Sequence, residues 1–268
     1  MTARNKNKAI NIYYYNVGSC NGCDIELVAG ILLNESKIKT NIVDDPKKAD
    51  VVIFTGILTK KMLPYFLRLL KKLPPRAKKV VFGSCAISGN AFFQSYTFAG
   101  PIDKFTKVDL YVNGCPPKAD ESFEGILEKL GALSKNKTKR EAREYWRGEL
   151  KFYPEKCIGC LNCVYHCPAQ TIKIDPKPGK REFELVYNFE RCFFCGMCER
   201  KCPTQAIVLT HKAKMVEKNK KTFVTKGRIT NGRVSPVRNK PLQAAAAVRL
   251  SEERISNGVK AKIEPDKI

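Results

Sequence analysis

The sequence predicts two folded parts in series: an α/β domain built on a parallel sheet over residues 1–134, and a small α+β domain with an internal repeat over residues 151–212. Three observations carry this prediction. Short apolar runs alternate with helical stretches through the first half of the chain. A C-x2-C-x2-C-x3-C-P run occurs twice, 35 residues apart, in the second half. Between the two lies a lysine- and arginine-rich stretch over 135–150, with Lys135, Lys137, Lys139, Arg140 and Arg143, that reads as a linker with some helix.

In chain order, residues 10–17, 51–55, 80–82 and 110–112 read as strands, with 38–43 a further one, and helices are expected over 24–33, 60–73 and 119–130. This placement brings four dispersed cysteines into register. Cys20 and Cys23 follow the first strand, Cys85 follows the strand at 80–82, and Cys115 follows the strand at 110–112. Ligands of open parallel sheets bind in the crevice outside the carboxyl ends of the strands, so these four are expected to meet there. Gly18, Gly22, Gly83 and Gly114 each stand within two residues of one of them, where the backbone must turn sharply. Cysteines buried only for packing are the alternative, and placement at three strand ends argues against it.

In the second part, Cys157, Cys160, Cys163 and Cys167 form the first run and Cys192, Cys195, Cys198 and Cys202 the second. Three thiolates within seven residues can wrap a [4Fe–4S] cube, and in ferredoxins with two such clusters the fourth cysteine of each run ligates the other cluster. The expected sets are therefore Cys157, Cys160, Cys163 with Cys202, and Cys192, Cys195, Cys198 with Cys167. Zinc ribbons use two separated C-x2-C pairs instead. No secretory signal opens the chain, so disulfides are not expected. The segments 171–174 and 182–187 read as strands joined by a turn at Pro176, Pro178 and Gly179. Phe193, Phe194 and Met197 stand among the second set of ligands, where they exclude water. The twelve cysteines thus divide into three foursomes with none left over, the pattern of an electron carrier with three [4Fe–4S] clusters.

Cys20-Asn-Gly-Cys23-Asp-Ile-Glu26, Gly83-Ser-Cys85-Ala-Ile-Ser-Gly89 and Gly114-Cys-Pro-Pro117 resemble the small electron-transfer subunit of membrane-bound, energy-converting [NiFe] hydrogenases (group 4), a relative of the complex I subunit that holds the terminal cluster. The resemblance covers roughly residues 8–131. It implies a flavodoxin-like fold in which the four matching cysteines bind the cluster beside a large subunit's active site. Residues 151–212 separately resemble the eight-iron ferredoxin subunit of the same complexes, notably in Cys192-Phe-Phe-Cys-Gly-Met-Cys198. Complex I subunits usually have adjacent cysteines at the first motif, whereas Asn21 and Gly22 separate Cys20 from Cys23 here, as in the hydrogenase branch. Fusion of the two subunits in one chain also departs from the usual pattern.

The same resemblance implies partners: a [NiFe] hydrogenase-type large subunit, membrane-embedded complex-I-like and antiporter-like subunits, and soluble ferredoxin as donor. It implies a peripheral position on the cytoplasmic side of the cell membrane. No apolar stretch approaches the length that spans a bilayer. With all twelve thiols assigned, only His166 and His211 remain as soft nitrogen ligands, so catalysis is expected on a partner. No G-x-G-x-x-G follows a strand and no P-loop is present. Glu26 is the candidate for proton transfer, against an ordinary acid favoured by the macrodipole at a helix N-terminus. His166, beside Cys167, reads as solvated or backbone-bonded rather than as a proton carrier.

Residues 211–268 hold 15 Lys and Arg against 5 Asp and Glu, so the segment from 213 is expected to be an extended or disordered tail without a core, with one helix over 244–254. The formal charge is +23. Each all-cysteine cluster brings about −2, which leaves about +17. A nucleic-acid partner is set aside because no RNA- or DNA-binding module is present; the positive field suits an acidic ferredoxin instead.

Overall fold

The computed structural model describes residues 9–34, 38–132, 148–176, 183–211 and 216–229, all within one compact unit that ends at Gly232. Of the linker expected over 135–150, residues 135–147 lie outside the described residues and Leu150 already belongs to a strand; the helix expected over 244–254 also lies outside the described residues.

The first half is a mixed sheet dominated by parallel strands. β1 (Ile10–Asn16), β2 (Thr40–Ile42), β3 (Val51–Thr55), β4 (Lys78–Phe82) and β5 (Leu110–Val112) run parallel in the spatial order β2-β1-β3-β4-β5. β3 is buried along its whole length because both faces are covered, which is why it reads as an unbroken apolar run. Val51 and Ile53 join Leu27, Ile31, Phe123 and Leu127 on the face covered by α1 (Gly22–Leu32) and by the helix Ala119–Lys129. Val52 and Phe54 join Phe66 and Leu69 of α2 (Leu63–Lys72) on the other. That helix starts later than residue 60: the Thr59 hydroxyl accepts from Met62 N–H at 3.2 Å to close a turn, and Pro64 then sits in the first helical turn, where its missing donor costs nothing. A five-residue helix, α3 (Ser84–Ser88), leaves β4, and Ala119–Lys129 is α4.

The second half repeats a strand–helix–strand unit. β6 (Leu150–Phe152), α5 (Asn162–Tyr165) and β7 (Ile172–Pro176) match β8 (Phe183–Asn188), α6 (Met197–Arg200) and β9 (Ile207–Leu209). Pairing is crossed: β6 lies antiparallel to β9, and β8 to β7, so the first strand of each half is bound to the second strand of the other.

Residues 216–229 depart from the expected coreless tail. β10 (Val216–Glu217) adds an antiparallel edge to the large sheet beside β5, and β11 (Val224–Ile229) pairs antiparallel with β8. Val216 and Phe223 are buried, and the Phe223 ring meets Phe189 edge-on at 5.1 Å. Two apolar anchors among many lysines are enough here because the segment completes existing cores instead of building one. The core under α2 is also continuous with that of the second half, through Ile87, Tyr111, Phe189 and Phe223.

Candidate iron–sulfur sites

The dispersed foursome forms at the carboxyl ends of three strands of the large sheet, β1, β4 and β5. Cys20 lies in the turn from β1 into α1 and Cys23 in the first turn of α1, Cys85 in α3 just after β4, and Cys115 just after β5. An acid at the head of α1 shapes the first turn: Asp24 accepts from Thr55 Oγ1 (2.6 Å), Asn16 Nδ2 (2.8 Å) and Ser19 Oγ (3.0 Å). Sequence reasoning passed over Asp24, whose three partners come from two strands and a loop. At Gly83, φ is +94° and an added Cβ would run into the Cys23 sulfur, so only glycine lets the chain pass so close.

Burial pushes the Cys23 thiol far up, and Cys85, Cys115 and Cys20 add to the effect. Burial followed by Cys115 and Cys20 takes Cys85 up to about 12. Thiolates at Cys23, Cys85 and Cys115 would lose solvation and repel one another, so the free thiols keep their protons, whereas a cationic metal core replaces those protons. Asn90 adds a second sign. It is fully buried in a left-handed conformation (φ 49°), neither of its side-chain amide atoms has a partner at hydrogen-bond distance, and it stands beside Cys85 and Cys115, favouring their thiolates.

In the second half the runs exchange their last members. One hollow is lined by Cys157, Cys160, Cys163 and Cys202, the other by Cys192, Cys195, Cys198 and Cys167. The two enclose equal space, ≈ 330 Å³ each with their open mouths, in keeping with the repeat. Backbone matches too: Leu161 and Gly196, Gly159 and Phe194, and Gln170 and Gln205 are all left-handed, which turns backbone N–H groups toward sulfur. Phe194 N–H donates to Cys192 Sγ (3.2 Å), Thr171 N–H to Cys167 Sγ (3.3 Å) and Ala206 N–H to Cys202 Sγ (3.2 Å). Burial and neighbouring thiols push Cys163 and Cys198 up to about 12. At Cys202 burial acts upward, but donors from Thr204, Ala206 and Ile207 outweigh it and the net direction is down. Among the described residues no group of three or more His, Cys, Asp and Glu is arranged for a single metal ion; the two foursomes of the repeat each surround a hollow, as a polynuclear cluster requires.

The other candidates lie elsewhere in the hydrogen-bond pattern. Glu26 Oε2 accepts from Ala119 N–H at 2.9 Å, which commits its charge to the N-terminus of α4. His166 Nδ1 bonds its own helix at the Asn162 carbonyl, 3.0 Å.

The first and second halves meet next to two of the foursomes. The turn Phe189–Arg191, directly before Cys192, packs on α3, which carries Cys85. Ser84 Oγ donates to Asn113 Oδ1 (2.9 Å), Asn113 Nδ2 to the Phe189 carbonyl (2.8 Å) and Ser88 Oγ to the Glu190 carbonyl (3.1 Å). The Arg191 guanidinium covers the Phe93 ring at 4.2 Å.

Residues 20–129 match the family described as NADH ubiquinone oxidoreductase, 20 Kd subunit, and residues 156–206 match the 4Fe-4S dicluster domain. A Pyrococcus furiosus protein described as "Probable membrane-bound hydrogenase subunit" is 30% identical over 50% of this chain and 83% of its own length. Formate hydrogenlyase subunit 7 of Escherichia coli is 34% identical over 46% of this chain, and a subunit of the F420H2 dehydrogenase of Methanosarcina mazei is 34% identical over 40%. The aligned segments span only 49% and 59% of those two relatives. With an iron–sulfur dicluster domain following it, the first half of the chain makes this protein a member of the NADH ubiquinone oxidoreductase 20 kDa subunit family.

Proposed function

We propose that this chain is the electron-transfer subunit of a membrane-bound [NiFe] hydrogenase, relaying electrons from reduced ferredoxin to a catalytic large subunit that reduces protons to H2, reversibly. Cys20, Cys23, Cys85 and Cys115 hold one [4Fe–4S] cluster, Cys157, Cys160, Cys163 and Cys202 a second, and Cys192, Cys195, Cys198 and Cys167 a third. Bound there, the clusters supply one-electron transfer. The strand order 2-1-3-4-5 supports a flavodoxin-like fold for the first half.

The observation that carries the relay is the docking of the Phe189–Arg191 turn on α3, which makes the Cys192 foursome the neighbour of the dispersed one. The matching turn before Cys157, Pro154–Lys156, packs on β11 instead. Electrons therefore enter at the Cys157 set and leave through the Cys85 set. Exposed Cys20, with exposed Ile25, Phe92 and Tyr96 on the segments after Cys23 and Cys85, supplies apolar surface for a large subunit. No helix among the described residues is long and apolar enough to cross a membrane; in this reading complex-I-like and antiporter-like subunits hold the chain on the cytoplasmic side. Family membership favours one second reading, the equivalent subunit of a quinone- or sulfur-reducing complex; the C-x2-C spacing of Cys20 and Cys23 weighs for the hydrogenase.

Purification of the complex from native membranes tests this. About 12 iron and about 12 sulfide per chain are expected, with a nickel-containing large subunit in equal amount. Stoichiometric zinc with little iron overturns the cluster assignment, and a nickel-free large subunit overturns the hydrogenase.

A further inference from the structure

The two hollows of the repeat are lined by positions 35 residues apart, and most pairs match in kind: Ile158 with Phe193, and Ile174 with Leu209. Polar side chains nearly cancel. Each hollow has one threonine near its crossing cysteine, Thr171 Oγ1 at 3.2 Å from Cys167 Sγ and Thr204 Oγ1 at 3.8 Å from Cys202 Sγ. Each crossing sulfur also accepts backbone N–H groups, Cys167 from Thr171 and Cys202 from Ala206, with Thr204 and Ile207 acting on Cys202 as well. Among the side chains, what remains is Tyr187, on β8, against Phe152 at the matching place on β6.

Tyr187 is 1% exposed, and its hydroxyl bonds no nitrogen or oxygen atom; the Cys192 thiol is near enough to act on it as a hydrogen-bond partner. The groups that act on that hydroxyl are the Cys192, Cys198 and Cys167 thiols. A buried hydroxyl left without a partner is a net cost, and phenylalanine serves at the twin position without one. The hydroxyl is accounted for when the sulfur lining the hollow accepts from it.

We propose that Tyr187 makes the two ferredoxin-type sites electronically unequal: its hydroxyl donates a hydrogen bond to the sulfur shell of the cluster held by Cys167, Cys192, Cys195 and Cys198, and raises the potential of that site above its Phe152-lined twin. This rests on the cluster assignment above. Reduction places one electron from a low-potential donor on the iron–sulfur core and breaks no bond; the phenolic proton stays on its oxygen. The added negative charge spreads to sulfur, where a donor shielded from water stabilises it. Phe193, Phe194 and Met197 dry the same site and act in the opposite direction, so the hydroxyl is what tilts the pair toward the dispersed foursome.

The test is a potentiometric titration of the full chain carrying its clusters, followed by electron paramagnetic resonance, with Cys195→Ser and Cys160→Ser assigning the two signals. Tyr187→Phe should shift the Cys192-set midpoint to more negative values with the other midpoints and the iron content unchanged, and Phe152→Tyr should shift the Cys157-set midpoint upward. In D2O, the reduced Cys192-set signal should show an exchangeable deuteron that is lost in Tyr187→Phe. An unmoved midpoint in Tyr187→Phe at full iron content overturns the proposal. If Tyr187→Phe loses its iron, an unmoved midpoint in Phe152→Tyr overturns it. Failure of the wild-type chain to take up iron at these cysteines would instead overturn the cluster assignment.

Discussion

Cys167 and Cys202 end the two runs, and each lines the hollow of the opposite half. The reason is local: α5 and α6 are single turns, and the chain leaving each carries its last cysteine away from the three before it, toward the other half. Cys167→Ala should accordingly unload the Cys192 set and spare the Cys157 set, removing about 4 of the roughly 8 irons in this part. Iron analysis with paramagnetic resonance checks it; loss of the Cys157-set signal with the other retained would refute the exchange. Asn90 and Tyr187 carry no such spacing. Nothing marks them in the sequence, since their meaning lies in having no partner except cysteines reached through the fold.

At the scale of elements, most strands of the sheet were legible because burial on both faces writes itself as an apolar run. β10 and β11 were not. β10 is two residues long, and β11 alternates with lysine, arginine and glycine, so both look like solvated tail. Their place comes from long-range pairing with β5 and β8 and from Phe223, which is fully buried against Phe189. Phe223→Ala should cost about 3–5 kcal/mol, the usual loss for a buried phenylalanine. Anaerobic denaturation should show it as a lower midpoint together with easier loss of iron from the Cys192 set, because Phe189 opens the turn that precedes Cys192. A change under about 0.5 kcal/mol, as surface substitutions give, would show that the segment is not part of the core.

For the molecule as a whole, charge and core point to different partners. The formal charge of +23 comes from 49 lysines and arginines against 26 acids, and surface pairs such as Lys78–Asp109 (3.0 Å) and Lys220–Asp103 (2.5 Å) leave that net charge unchanged. If an acidic ferredoxin docks on this field, the second-order rate of electron transfer to the chain should fall several-fold between about 0.05 and 0.5 M salt, as screening shortens the reach of the field. Stopped-flow mixing at graded ionic strength checks it, and a rate indifferent to salt removes the electrostatic docking. The sequence alone determined the three groups of cysteines and the two kinds of fold, because cysteine spacing and strand burial are local and survive in one dimension. Only the tertiary structure decided which foursomes are neighbours, why Tyr187 differs from Phe152, and that residues 216–229 belong to the core: the contacts of Asn113 with Phe189, of Tyr187 with Cys192 and of β10 with β5 join surfaces whose complementarity exists only once the chain is folded.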